Sequence, residues 1–354
     1  MSCECSPAPA AAAGDHCTGD HLTEGLVRWL FGGALSYPSG AIAAWRDPGT
    51  GMLGYPYPEI TGYFLTLAAS LGHTGTQVVR RAAAWLIDRH RRGERESRPP
   101  EPGVVYTFDT LIQATGLLNY GRAEGCDAAL TLATRIVLDE ARRVLDEGDI
   151  SPLARSSRPP VRPPTWSTVG RLHLLKSVQG FCLAHEVSGS ACARDAAALI
   201  VARRAGGIQV RSPHLAGPAG RHHLHPFCYA LEGLWVWSRA TGDGSAAAQA
   251  RARLGELAEH RLPDGGLPGT AGAVLAQLDV TAQAVRLGVL LAGGPFRPGL
   301  TRQFLRAHVR PAPDGGRYVP YRAEGRHHQS SWASMFTVQA LRAERDGLNW
   351  RHLV

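Results

Sequence analysis

A polar stripe on an otherwise apolar helix pattern is the strongest chemical signal in the sequence. In RHHLHPFCYALEGLW, His225, Tyr229 and Glu232 fall at positions i, i+4 and i+7, which share one face of an α-helix. Imidazole, phenol and carboxyl groups can each give or take a proton when their surroundings shift their pKa. The stripe therefore predicts acid–base catalysis by these three residues. A metal site and a purely structural hydrogen-bond cluster are the alternatives.

A second acid and phenol open the apolar stretch GYPYPEITGYFLTLAASL, at residues 54–71. Pro58 fixes the backbone just ahead of the predicted helix, as a proline in a first turn can. Glu59 and Tyr63 lie four residues apart and so share a helix face. We interpret Glu59 and Tyr63 as a second catalytic pair across the same site.

Polar and aromatic residues also stand near the starts of the other apolar helix patterns. Asp279 in QLDVTAQAVRL is a further catalytic candidate, and it could pair with Glu59 as the two carboxylates of a glycosidase. Lys176 is the only lysine among 38 Lys and Arg residues, and we expect it to hold an anionic group together with Arg286. The predicted substrate-binding residues are Tyr57, Asp109, Trp166, His173, Lys176, Arg221, His223, Gln283, Arg286, His328 and Trp332.

A structural role is the alternative for several of these positions. Asp109, Asp279 and Ser330 or Ser331 stand where helix N-cap residues belong, and a cap needs no catalytic function. Lys176 could equally be a salt-bridged or snorkelling lysine.

These residues lie on a repeating pattern of helix pairs. The first helix of each pair is amphipathic and rich in arginine, and the second is apolar nearly all round, which is typical of a buried helix. The first set is predicted at 21–35, 76–92, 124–147, 190–205, 244–261 and 297–308. The second set is predicted at 59–71, 108–120, 166–187, 225–240, 279–292 and 330–343. Six such pairs, repeating about every 50–60 residues, predict an all-α (α/α)6 toroid with the apolar helices inside.

The connections between these helices fall into two classes. Links from an inner to an outer helix are short, whereas links from an outer to an inner helix are long and rich in Gly and Pro. All long loops therefore meet where the inner helices begin, and we call this end of the ring the mouth. Long loops on a rigid scaffold usually carry function, and six helix N-termini favour negative charge there. The mouth is the predicted site.

Composition narrows the function classes. The net charge is +8, but the arginines are spread over every outer helix, so the sequence does not indicate nucleic-acid binding. Seven cysteines without a CxxC pair indicate neither a disulfide framework nor a zinc ribbon, and they favour a reducing, cytoplasmic setting. No apolar run is long enough for a membrane span, and no phosphate loop or other cofactor motif is present. We predict a disordered leader at 1–20 and a single domain at 21–354, with the oligomeric state open.

The overall plan resembles the six-hairpin toroid superfamily, which includes N-acylglucosamine 2-epimerases, glucuronyl C5-epimerases, unsaturated glucuronyl hydrolases, polysaccharide lyases and terpenoid cyclase-like toroids. The segments YPEITGY and HPFCYALEGLW look like those of toroid proteins associated with polysaccharide clusters, and the DGG turns in PDGGLPG and PDGGRYVP are similar to those of terpenoid-type toroids. AQLDVTAQA departs from the DxDD motif of protonating terpene cyclases. His173, His225 and the His327–His328 pair are candidates for the paired histidines of the 2-epimerases.

Together these features predict a carbohydrate-active enzyme that transfers protons at carbon, as an epimerase or isomerase does, on a sugar or sugar-bearing metabolite with an anionic group. A glycoside hydrolase or polysaccharide lyase is the first alternative. If the protein were instead a terpenoid cyclase-like toroid, its cavity should be aromatic and nearly dry and should contain one acid. If it were a non-catalytic toroid that binds a glycan or a partner, loops should plug the mouth.

Overall fold

The computed structural model describes residues 15–98, 101–160, 165–217, 220–325 and 327–354. Twelve α-helices lie in these ranges. The outer helices are α1 (Asp15–Phe31), α3 (Gln77–Arg91), α5 (Asp127–Glu147), α7 (Ala191–Arg204), α9 (Gly244–Ala258) and α11 (Gly299–Ala307). The inner helices are α2 (Pro58–Leu71), α4 (Thr107–Glu124), α6 (Val178–Ser188), α8 (Leu224–Thr241), α10 (Leu278–Leu290) and α12 (Ser331–Asp346).

The inner helices form a closed ring. Each packs against the next in the order α2, α4, α6, α8, α10 and α12, and α12 packs back against α2. Most of each inner helix is buried, whereas each outer helix buries only one face. This arrangement confirms the predicted (α/α)6 toroid. Residues 1–14 of the predicted leader lie outside the described part of the chain, and helix α1 already begins at Asp15, so the domain boundary stays a prediction.

The third inner helix differs from its predicted range of 166–187. Residues 165–169 form a turn in which Thr165 N donates to Thr168 Oγ1 at 2.8 Å and Thr168 N donates to the Thr165 carbonyl at 3.1 Å. Such local side-chain bonds compete with helix formation. The helix therefore starts later, with a 3-10 turn at His173–Ser177 that leads into α6.

A small antiparallel sheet, absent from the all-helical expectation, links the first and last loops of the mouth. Its strands are β1 (Trp45–Arg46), β2 (Arg310–Pro311), β3 (Arg317–Pro320) and β4 (Gln329–Ser330), in the order β1-β4-β3-β2. Ser330 pairs with Trp45 on one side and with Val319 on the other. The sheet thus joins the loop before the first inner helix to the loop before the last inner helix. Residues 350–354 fill the end of the ring opposite the mouth. Carbonyl groups in this segment accept hydrogen bonds from Asn119, Gln179 and Gln339.

Helices α2 and α4 of the inner ring approach each other closely, with two glycines facing each other. A methyl group at Gly116 would lie 2.3 Å from the carbonyl oxygen of Gly62, so the helices would have to separate. We expect Gly116→Ala to lower the free energy of unfolding by about 1–3 kcal/mol, as overpacking does. Urea denaturation measures this. Gly244→Ala on α9 is the matched control, because a methyl group there meets nothing within 4 Å, and its effect should stay within about 0.5 kcal/mol. Equal effects of the two substitutions would contradict the close packing.

Candidate functional site

A cavity of about 210 Å³ opens at the mouth, between the first turns of the inner helices. We call it the mouth cavity. Nine of the residues predicted for the site line it: Tyr57, Glu59, Asp109, Trp166, His173, His225, Tyr229, Asp279 and Trp332. All six inner chain segments supply them near their starts, which explains why residues far apart in sequence meet here.

Two carboxyl groups lie together on one wall of the mouth cavity. Glu59 in the first turn of α2 and Asp109 in the first turn of α4 are both buried. Burial, and then the neighbouring carboxyl group of Asp109, raise the pKa of Glu59 to about 8. Burial also raises the pKa of Asp109 to about 6, because the Arg98 guanidinium offsets it only in part. At neutral pH the pair therefore retains one proton, and Glu59, with the higher pKa, is its main site.

Arg98 supplies the positive charge on this wall. Its guanidinium lies 3.9 Å from Asp109 Oδ2, and its Nε donates to the Tyr57 hydroxyl at 2.9 Å. The Tyr57 hydroxyl in turn donates to Asp109 Oδ2 at 3.5 Å. Arg98 was not predicted from the sequence. It lies in the long loop before α4, and the only signal that could have found it is that such loops converge on the mouth. Four further aromatic lining residues were also missed, namely Tyr55, Tyr106, Phe108 and Tyr321.

His225 stands at the start of α8, on the opposite side of the ring from α2. Two side chains lie near the Nδ1 atom of its imidazole. Its Nδ1 lies 2.7 Å from Gln283 Oε1 and 3.6 Å from Asp279 Oδ2. The amide nitrogen of Gln283 donates to Glu232 Oε1 at 3.4 Å, so the Gln283 oxygen must act as the acceptor for His225. This network assigns the proton to Nδ1 and leaves Nε2 with a lone pair. No described residue bonds Nε2.

Neither aspartate is a helix N-cap. The N-cap positions of α4 and α10 are Tyr106 and Gln277, and neither side chain caps its helix. Asp279 instead accepts three hydrogen bonds, from Gln277 Nε2 at 2.8 Å, Val280 N at 2.7 Å and Trp332 Nε1 at 2.9 Å. Ser330 does cap α12, since its hydroxyl accepts from Ala333 N at 3.2 Å. The capping interpretation therefore holds for Ser330 alone.

Lys176, Glu232 and Arg286 form a fully buried triad beneath the mouth cavity and do not line it. Lys176 Nζ lies 3.1 Å from Glu232 Oε2, and the Arg286 guanidinium bonds Glu232 Oε1. Burial works to raise the pKa of Glu232, but Arg286 and Lys176 outweigh it and hold that pKa below its usual value. The expectation that Lys176 and Arg286 hold an anionic substrate group is therefore replaced: their anion is Glu232 of the chain itself. Glu232, held ionised and out of reach, is likewise unsuited to the predicted catalytic role.

The two predicted tyrosines meet across the ring. Tyr63 of α2 donates to the Tyr229 hydroxyl at 3.0 Å, although only Tyr229 lines the mouth cavity. Burial raises the pKa of both phenols well above the usual value, so both remain protonated. His173 is also neutral, because burial lowers its pKa to about 3. Its ring lies against Phe108 and Trp166, with centroids 5.4 and 5.0 Å away.

A second cavity, of about 740 Å³, continues outward from the first. We call it the vestibule. Trp166, His225 and Tyr321 line both cavities, and Arg221, His223 and Arg322 lie on the vestibule wall. His328 lines neither cavity, because its ring stacks on Trp45 at a centroid distance of 3.7 Å. His327, its predicted partner, also lines neither cavity.

The described residues contain no group of three or more His, Cys, Asp or Glu side chains placed to hold a metal ion. None of the helices in the described ranges is both long and apolar enough to cross a membrane.

Comparison with known proteins returns structural similarity only. No protein-family model matches the sequence, and no curated protein matches it. A solved unsaturated glucuronyl hydrolase from Bacillus sp. GL1 superposes with a TM-score of 0.69 at 14% identity, over 93% of this chain and 96% of that one. A D-mannose isomerase gives 0.66 at 13% identity over 94% and 98%. A sugar epimerase from a ruminal bacterium gives 0.66 at 14% identity over 92% and 99%. With the ring geometry, these similarities identify the chain as an (α/α)6 toroid protein.

Proposed function

We propose that the chain is a carbohydrate-active enzyme that isomerises or epimerises a sugar by proton transfer at carbon. The observation that carries the proposal is an acid and a base on different helices of one cavity. Glu59 is protonated at neutral pH, and His225 has an Nε2 lone pair with no partner among the described residues. The fold is shared with solved structures described as a mannose isomerase and a sugar epimerase, which supports the same class.

The reaction acts on the carbonyl form of the sugar. His225 Nε2 removes the proton from the carbon next to the carbonyl group, and the C–H electron pair forms a carbon–carbon double bond. The carbonyl π pair moves to its oxygen, which takes the proton of Glu59 to give an enediol. For isomerisation, His225 returns the proton to the neighbouring carbon, and Glu59 takes the proton of the other enediol hydroxyl, whose oxygen becomes the new carbonyl oxygen. For epimerisation, the enediol first rotates to present its other face to His225, which returns the proton to the same carbon while Glu59 takes back the proton that it gave. Glu59 and His225 regain their starting protonation states when the steps reverse.

The surrounding residues prepare this chemistry. Asp279 lies 3.6 Å from Nδ1 and stabilises the imidazolium formed when His225 takes the proton. Gln283 fixes the tautomer, and Glu232 orients Gln283. Trp166, Tyr321 and Trp332 provide aromatic faces on which a sugar ring can stack.

The carboxyl pairs argue against a hydrolase. The carboxyl groups of Glu59 and Asp109 are close neighbours, since Asp109 raises the pKa of Glu59, whereas a glycosidase needs its two carboxyl groups about 5 Å or more apart. Asp279 is held by three hydrogen-bond donors and lies beside His225, a position suited to stabilising the imidazolium. A cavity with three carboxyl groups and Arg98 also differs from the single-acid, nearly dry cavity expected of a terpenoid cyclase.

Product analysis tests the proposal. The purified protein is incubated with a panel of neutral, acidic and phosphorylated sugars and short oligosaccharides, and the products are identified by NMR. We expect one sugar to be converted to its 2-epimer or to the corresponding ketose, with every glycosidic bond intact. Cleavage of a glycosidic bond, or release of an unsaturated uronate, would replace the proposal with the hydrolase or the lyase alternative.

A further inference from the structure

The mouth cavity is too small to hold more than part of an oligosaccharide. Its volume is about 210 Å³, whereas ligand pockets usually measure about 300–1,000 Å³. The vestibule, at about 740 Å³, falls within that range. Because Trp166, His225 and Tyr321 line both cavities, a ligand that reaches His225 from outside extends through the vestibule.

The two cavities differ in charge. Three carboxyl groups and one guanidinium line the mouth cavity, namely Glu59, Asp109, Asp279 and Arg98. The described vestibule lining holds the guanidinium groups of Arg221 and Arg322 and no carboxyl group. Both arginines are exposed, and neither forms an ion pair with a described residue. The vestibule therefore attracts negative charge.

The remaining vestibule surface suits a sugar ring. Trp166 and Tyr321 stand at the junction with the mouth cavity, where an aromatic face can stack on the C–H face of a sugar. Val274 and Leu275, which are 79% and 44% exposed, add apolar surface. Burial lowers the pKa of His223, so this ring is neutral and can both donate and accept hydrogen bonds to hydroxyl groups.

We infer that the vestibule is a subsite for an anionic sugar unit, a uronate or a sulfated sugar, that is linked to the reacting ring and held by Arg221 and Arg322. Arginine matches this chemistry because its planar fork can bond two oxygens of a carboxylate or sulfate group at once. The inference rests on the proposed function, since it specifies the substrate as an acidic disaccharide or longer chain.

Binding to an oligosaccharide array tests the inference without requiring turnover. The labelled full chain is applied to matched neutral, uronate-containing and sulfated oligosaccharides. We expect binding to acidic members and a loss of about tenfold or more in apparent affinity for them in the Arg221→Ala/Arg322→Ala variant, since the charge-assisted hydrogen bonds to the anion are lost. The uronate and sulfate arms show which anion is preferred. Arg194→Ala is the matched control, because Arg194 is exposed in the first turn of the outer helix α7, at the end of the ring opposite the mouth.

The outcomes separate the two proposals. Equal binding to neutral and acidic members, or unchanged acidic binding in the double variant, overturns the inference and leaves the proposed function standing. The absence of binding to any oligosaccharide overturns the inference too, while conversion of a free monosaccharide in the product assay would still support the isomerase. Arg322→Glu provides a second check, because a negative charge there should weaken acidic binding further than Arg322→Ala does. Thermal unfolding of each variant should match that of the unmodified chain, since both arginines are exposed.

Discussion

Glu59→Gln should lower kcat about 10²–10⁴-fold, which is the usual contribution of a positioned general acid. Glutamine keeps the shape of the side chain and can still hydrogen-bond, but it has no carboxyl proton to give. In the unmodified chain, kcat/KM should fall as the pH rises through about 8, because Glu59 then loses the proton that it must donate. That alkaline decline should be absent from the residual activity of Glu59→Gln. A full pH–rate profile of both proteins measures this.

Stability provides the control for this substitution. The pKa of Glu59 in the folded chain, about 8, lies above the value of about 4.3 expected in the unfolded chain. The folded state therefore binds more protons between these pH values, and stability falls as pH rises through this window. Glu59→Gln has no carboxyl group to ionise and so avoids this loss of stability. Its Tm at pH 9 should therefore equal or exceed that of the unmodified chain. A loss of activity smaller than tenfold, or an unchanged alkaline decline, would contradict the assignment of Glu59 as the acid.

Glu232→Ala should lower the free energy of unfolding by about 3–5 kcal/mol, because it leaves two buried cations without their anion. Lys176, Glu232 and Arg286 are all fully buried, so water cannot take the place of the lost carboxylate. Chemical denaturation measures the loss. Glu259→Ala is the matched control, since Glu259 is exposed on the outer side of the ring and should change stability by less than about 0.5 kcal/mol.

A triple replacement separates stability from positioning. Lys176→Met, Glu232→Leu and Arg286→Met together remove all three charges and should recover much of the lost stability. The triple variant still lacks the acceptor for Gln283, so His225 should lose its preference for the Nδ1-protonated tautomer, which ¹⁵N NMR of labelled histidine detects. An unchanged tautomer in a folded triple variant would contradict the positioning role of Glu232.

The sequence was sufficient to predict the ring because the signals for it are local. Alternating amphipathic and apolar helix patterns, and the contrast between short and long links, are visible without any knowledge of contacts across the fold. They also locate the mouth correctly, since Glu59, His225 and Asp279 all stand in first turns. The start of the third inner helix was missed because the competing hydrogen bonds of Thr165 and Thr168 involve only a few residues and leave no periodic signal.

The partners of the buried charges could not be predicted in the same way. Glu232 lies one turn deeper than Tyr229 on α8, and a helical pattern gives the face of a residue but not its depth in the ring. Lys176, Arg286 and Glu232 come from three different segments, and only the closed ring brings them together. Arg98 lies in a loop without periodicity, so its contact with Asp109 depends on the loop path.

The most direct test of the central claim is deuterium exchange from solvent into the converted sugar. Using the substrate found in the product assay, NMR in D2O follows the carbon next to the carbonyl group. The unmodified chain should introduce deuterium at that carbon without cleaving a glycosidic bond, and His225→Asn should slow the exchange by about 10²–10⁴-fold at unchanged thermal stability. Conversion or exchange at an unchanged rate in a folded His225→Asn variant would contradict proton transfer through His225.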